Sequence, residues 1–142
     1  MATRFQVTFD AADPRQLGSF WCAALGYVEQ PPPDGFETWD AALESWGVPP
    51  AQRDAAYAIV DPDDAGPRIY LQKVPEAKTA KNRVHLDVNV GEGLDGDERT
   101  AAVRDEAERL VALGASVLRE IEENGEFWIV MHDPEGNEFD LQ

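Results

Sequence analysis

One passage occurs twice in this chain, and that repetition limits what it can fold into. Tyr57–Gln72 and Phe127–Gln142 align without a gap, matching at Ile59/Ile129, Val60/Val130, Gly66/Gly136, Leu71/Leu141 and Gln72/Gln142. In the second copy Phe127, Ile129 and Met131 alternate with Trp128, Val130 and His132, the period-2 pattern of a strand with two unlike faces. Asp133-Pro134-Glu135-Gly136-Asn137 then holds the residues that bend a chain. Phe139 and Leu141 point one way on the returning strand, and Glu138, Asp140 and Gln142 the other. Each copy is therefore expected to be a hairpin with one apolar face and one polar face.

The segments before the two hairpins echo each other too. Phe5, Val7 and Phe9 alternate with Gln6, Thr8 and Asp10. Likewise Val84, Leu86, Val88 and Val90 alternate with His85, Asp87 and Asn89. Asp13-Pro14 offers an N-cap and a first-turn proline, and Leu17, Phe20, Trp21, Ala24 and Leu25 make one apolar helix face that Gly26 ends. A second helix opens at Asp97 or Thr100, carries Val103, Ala107, Leu110 and Val111 on one stripe, and stops at Gly114. Tyr27–Glu29 and Val117–Glu120 supply the next strands. Each half thus reads strand, helix, strand, strand, strand, a unit too small to bury its own face. The expected fold is α+β: two βαβββ repeats forming one curved mixed sheet, with helices outside and a cleft inside.

At 142 residues the chain suits a single domain, with repeat 1 over about 3–74 and repeat 2 over about 83–142. An insert at about 30–56 has no counterpart in the second half. Pro31-Pro32-Pro33 opens it, Thr38 caps a short helix through Trp46, and Trp39, Leu43 and Trp46 share a face. Such a lid either covers the sheet or touches a ligand. Lys73–Arg83 is a basic connector in an acidic chain, read as a solvated linker or as an anion site.

The formal charge of −16 argues against phosphate backbones and anionic membranes as partners, while admitting a cationic ligand. No apolar run approaches the roughly 20 residues of a membrane span. Cys22 is the only cysteine, so no intrachain disulfide can form and a cytoplasmic setting is expected. Without a neighbouring base, Cys22 is not read as a nucleophile. Asp133 is read as the residue holding its turn, His132 as a turn histidine, and Trp21 as core.

Val84-His85-Leu86-Asp87, Arg109–Ala115 and Asp133-Pro134-Glu135-Gly136-Asn137-Glu138-Phe139 together resemble the vicinal oxygen chelate superfamily, the glyoxalase / bleomycin resistance / dioxygenase proteins. Lys81–Asp87 looks most like the glyoxalase-like domain proteins common in actinobacteria. The resemblance spans the chain apart from the insert. It implies a small molecule in the cleft and, in metal-dependent members, a divalent ion (Zn, Ni, Fe or Mn) on four inward strand positions. Carried over, these positions fall on Gln6, Tyr70, His85 and Asp140, all on polar strand faces. Tyr70 departs from the pattern, since a glutamate is expected there, which leaves His85, Asp140 and Gln6 as metal ligands. Gln6, Thr8, Trp39, Trp46, Tyr70, Asp87, Trp128 and Glu138 are the expected ligand contacts.

The resemblance leaves two functions open. One is a metal-dependent lyase, isomerase or dioxygenase; the other is a metal-free, bleomycin-resistance-like protein that binds a cationic or aromatic compound. Homodimers are common among such relatives, so a homodimer is an expected assembly.

Overall fold

The structure is a computed structural model describing residues 1–142, and it divides into two compact units, Met1–Ala77 and Lys78–Gln142. The first unit runs β1 (Val7–Ala11), α1 (Pro14–Leu25), β2 (Val28–Glu29), α2 (Trp39–Ser45), a turn of 3-10 helix (Pro50–Gln52), β3 (Ala56–Val60) and β4 (Ile69–Lys73). The second runs β5 (Asp87–Val88), α3 (Gly96–Ala112), β6 (Ser116–Glu123), β7 (Glu126–His132) and β8 (Glu138–Leu141). The sheet expected from the sequence is built as two four-stranded mixed ladders of identical topology, β1-β4-β3-β2 and β5-β8-β7-β6. In each, the opening strand runs parallel to the last, and the other pairs are antiparallel.

Local chemistry accounts for the helices. Asp13 accepts a hydrogen bond from the Gln16 backbone N–H at 3.1 Å, Pro14 follows, and Gly26 closes α1 at φ 72°. Leu17, Phe20, Trp21 and Ala24 are buried with Ile59, Ile69 and Leu71 of the sheet. Trp21 meets Phe9 and Phe20 edge-on, at 5.4 and 5.5 Å. Gly18 is required here, because a Cβ on it would stand 2.2 Å from the Tyr57 ring.

In the second unit Val103, Ala107 and Leu110 of α3 are buried with Phe127, Ile129, Met131, Phe139 and Leu141. Helix α3 starts at Gly96, earlier than the sequence suggests, behind an Asp95 whose side chain makes no cap. Val111, assigned to the buried stripe, is 45% exposed; it falls to one side of the Val103–Ala107–Leu110 line.

Two further expectations change. The opening strand of the second repeat, expected over 84–90, pairs regularly only at Asp87 and Val88, and Val84 is 81% exposed. The ungapped match between hairpins also fails in one arm. Ile59 pairs with Ile69, enclosing residues 60–68, whereas Met131 pairs with Phe139, enclosing 132–138. The first turn is thus two residues longer, and Ile59 stands where Met131 does, not where Ile129 does.

Each turn is organised by one aspartate. The Asp133 carboxylate is 3% exposed and accepts from the backbone N–H groups of Glu135 (2.9 Å) and Asn137 (3.0 Å) and from the Asn137 amide (2.8 Å). Asp61 accepts from the backbone N–H groups of Asp63, Ala65 and Gly66, which hold its carboxyl below the usual range. Aligning these two Asp-Pro steps, rather than the apolar residues, gives the register the ladders adopt.

Candidate functional site

Period-2 geometry puts alternate residues of each opening strand on the same face as alternate residues of its parallel partner. In the first unit these are Gln6, Thr8 and Asp10 beside Arg68, Tyr70 and Gln72, with Thr8 opposite Tyr70 and Asp10 opposite Gln72. In the second they are His85, Asp87 and Asn89 beside Glu138, Asp140 and Gln142, with Asp87 opposite Asp140. The last pair in each set is alike. The Gln72 amide donates to Asp10 at 2.7 Å, and the Gln142 amide donates to Asn89 at 2.9 Å. The other positions have diverged.

His85, Asp87 and Asp140 form the chemically richest group. Each offers a donor atom, all within 4.8 Å of one another. His85 Nδ1 lies 2.6 Å from an Asp87 carboxylate oxygen and 4.0 Å from one of Asp140. Burial raises the Asp140 carboxyl above its ordinary pKa; the negative charge of Asp87 adds to this, and His85, Lys81 and Arg119 oppose it. Two carboxylates and an imidazole crowded together suit a divalent cation, which would offset the carboxylate repulsion. Asp87, expected only as a ligand contact, is the third member of this group. The signal for it was its i+2 spacing from His85.

Gln6 belongs to a different arrangement. Its Oε1, the atom a metal would need, accepts from Arg68 Nη1 at 2.9 Å, and its Nε2 donates to Thr8 Oγ1 at 3.5 Å. The guanidinium of Arg68 stacks over the Tyr70 ring at 5.3 Å, and its Nε donates to Gln30 Oε1 at 2.6 Å. A resident cation therefore already uses the Gln6 oxygen, which counts against Gln6 as a metal ligand. Arg68 was missed because its partners lie 62 and 38 residues away.

Glu138 is also engaged internally. It accepts from the Asn82 backbone N–H at 2.9 Å and from Lys78 Nζ at 3.1 Å, with His132 Nε2 3.6 Å away. The Asn82 bond is the main reason its carboxyl is lowered to about 2, with Lys78 adding to it. The basic connector is tied down at this point.

The tryptophans separate in the same way. Trp39 Nε1 donates to the Gln30 carbonyl at 2.7 Å, and its ring borders a cavity of about 160 Å³ in the first unit. Thr38 caps α2 by accepting from the Ala41 N–H, as its position suggests. A more polar hollow of about 360 Å³ adjoins the cavity, along Pro31, Pro32 and Trp39. Trp46 borders neither; it is 57% exposed and stands edge-on to Phe36 at 6.1 Å. Trp128 lies half-buried on β7, opposite Ile121. The thiol of Cys22 is pushed up by burial, so it stays protonated.

Paired βαβββ repeats with this strand order define the vicinal oxygen chelate fold. Residues 6–142 match the model of the glyoxalase-like domain, and the chain belongs to that family. Among solved structures it is similar to a mutant of the genomically encoded fosfomycin resistance protein FosX from Listeria monocytogenes, complexed with Mn(II) and 1S,2S-dihydroxypropylphosphonic acid. That similarity has a TM-score of 0.64 at 15% identity, covering 100% of this chain and 92% of the other. It is also similar to a glyoxalase/bleomycin resistance protein/dioxygenase family enzyme from Burkholderia phytofirmans PsJN, with a TM-score of 0.62 at 17% identity over 96% and 94% of the two chains. A third similar structure is TioX from Micromonospora sp. ML1, with a TM-score of 0.52 at 14% identity over 99% and 97%. Among curated proteins, none matches this chain.

Proposed function

We propose that the chain is one glyoxalase-like domain that acts on or binds a small molecule, and that its second repeat holds a divalent metal ion on His85, Asp87 and Asp140. The observation that carries this reading is the convergence of three donor groups within 4.8 Å. An imidazole with two carboxylates suits Mn, Fe or Zn, and three protein ligands leave positions open for substrate oxygens. Bound there, the ion would supply Lewis acidity to an oxygen-bearing substrate, the chemistry of a lyase, isomerase or dioxygenase. The FosX neighbour, complexed with Mn(II) and a phosphonate, supports both a metal and a small-molecule partner.

A second reading, metal-free ligand binding, is favoured by the Trp39-lined cavity and by the engagement of Gln6 with Arg68. Metal analysis of untagged protein separates the two. Near-stoichiometric metal that disappears in His85→Ala supports the first reading, and metal-free protein that still binds ligand supports the second. The half-buried lone thiol of Cys22 and the absence of a helix long and apolar enough to cross a membrane fit a cytoplasmic protein. Sedimentation would detect the homodimer expected from the family.

A further inference from the structure

From the side chains around the 160 Å³ cavity we infer that the first repeat binds a small aromatic monocarboxylate, anchored by Arg68 and walled by Trp39 and Tyr70. The inference is independent of the metal reading, because every residue it uses lies in the first unit.

Charge is the first argument. The whole chain carries 28 acidic side chains against 12 basic ones, yet this cavity is bordered by three arginines, Arg15, Arg53 and Arg68, against Glu29 and Asp40. It reverses the sign of the protein around it. Of the six arginines outside it, three are neutralised at close range: Arg4 by Asp64 at 2.7 Å, Arg104 by Glu120 at 2.9 Å and Arg109 by Glu106 at 2.5 Å; Arg99 donates to the Phe127 carbonyl instead. Arg15 approaches Glu29 only at 4.0 Å and spreads over the Tyr57 ring. Arg53 gives its Nε–H to the Val48 carbonyl and has no carboxylate partner.

Arg68 is held most deliberately. Its Nε and Nη1 donate to the amide oxygens of Gln30 and Gln6, and its plane lies over Tyr70. Both acceptors are uncharged, so they aim the guanidinium without cancelling its charge. The Nη2 donors have no protein partner and stay available to an anion. A fixed guanidinium with spare N–H groups matches a planar carboxylate, and the match weakens when the fork becomes a lysine.

Size and polarity set the rest of the ligand. An apolar cavity of about 150 Å³ accommodates a benzene-sized molecule. Here Trp39, Leu43, Ala58 and Tyr70 supply aliphatic and ring surface. One ring bearing one carboxylate satisfies both the wall and the anchor. The cationic ligand allowed by the overall charge is disfavoured here, because it would face three guanidinium groups.

Calorimetric titration of the full-length chain in EDTA, with benzoate, phenylacetate, benzamide and benzamidine, tests this. Benzoate or phenylacetate should bind, and the neutral and cationic analogues should bind at least about 10-fold more weakly. Arg68→Gln should weaken carboxylate binding about 10- to 100-fold, and Arg68→Lys should recover only part of it. His85→Ala should leave it unchanged while abolishing any metal binding, so the two readings fail separately. Binding of benzamidine or benzamide as tight as benzoate, equal affinity in Arg68→Gln, or no binding by any of the four would overturn the proposal. If Arg68→Gln does not fold, as judged by circular dichroism, Arg53→Gln and the charge series on the unaltered protein decide it.

Discussion

The polar strand faces of the two repeats share a backbone plan and carry opposite chemistry. Position by position, Gln6, Thr8, Arg68 and Tyr70 in the first unit stand where His85, Asp87, Glu138 and Asp140 stand in the second. The first face contains its own cation, hydrogen-bonded by two neutral amides and stacked on a phenol. The second collects an imidazole and three carboxylates; Lys78 donates to Glu138, but no guanidinium or ammonium is hydrogen-bonded to His85, Asp87 or Asp140. The backbone plan is shared and the side chains differ, which is why an anionic guest is proposed for one face and a metal for the other.

The largest test of this comparison lies in the turns. Asp133→Ala leaves three donors without their carboxylate at a 3% exposed site, and should cost about 3 kcal/mol in denaturant unfolding. Asp61→Ala, in the longer turn where the carboxylate is more exposed, should cost clearly less. Equal losses would mean the two turns are equivalent after all.

Next in size is the metal. Mn(II) at about 100 times its dissociation constant should stabilise the protein by about 2.7 kcal/mol, read as a rise in Tm. Asp140→Asn should abolish that rise, whereas Tyr70→Phe at the matching position of the first repeat should preserve it. Loss of the rise in both variants would mean that metal binding also needs the Tyr70 hydroxyl.

Glu138→Gln should cost about 2 kcal/mol at neutral pH, because it removes a carboxylate bonded to Asn82 and Lys78. Folding lowers this carboxyl from 4.5 to about 2, so its stabilisation is complete above the ordinary value and fades as pH falls toward 2. The stability gap between the parent protein and the variant should therefore close in acid. A gap independent of pH would show that shape, not charge, matters there. Smallest of all, Arg4→Ala in the first repeat and Arg104→Ala in the second should each leave the denaturant midpoint almost unchanged, since both ion pairs are exposed.

What could be read in the chain beforehand follows from how local each signal is. Helix α1 was legible at both ends because Asp13, Pro14 and Gly26 act on their immediate neighbours. The role of Asp133 was legible for the same reason. Alternation put His85, Asp87 and Asp140 on polar faces, and the structure brings all three together. The anchoring of Glu138 by Asn82 and Lys78 was not readable, because those partners are 56 and 60 residues away. Nor was the hydrogen bond that Arg68 gives to Gln6, a residue expected to hold metal. Among the tryptophans, helical spacing placed Trp39 and Trp46 on one face without saying which would border a cavity.

The longer first turn has a wider consequence for how such repeats diversify. Because a strand reverses its outward side at every residue, a loop can gain or lose an even number of residues without turning the strand inside out. An odd change carried into the ladder as a one-residue slip would push Ile59 into solvent and Val60 into the interior, whereas one absorbed within the turn would not. Parity thus acts as a filter on insertions that reach the ladder: it passes variants that slide one strand past its neighbour by a full pleat and rejects those that slide it by half. A duplicated hairpin under that filter can retune the reach of its loop while its interior stays packed.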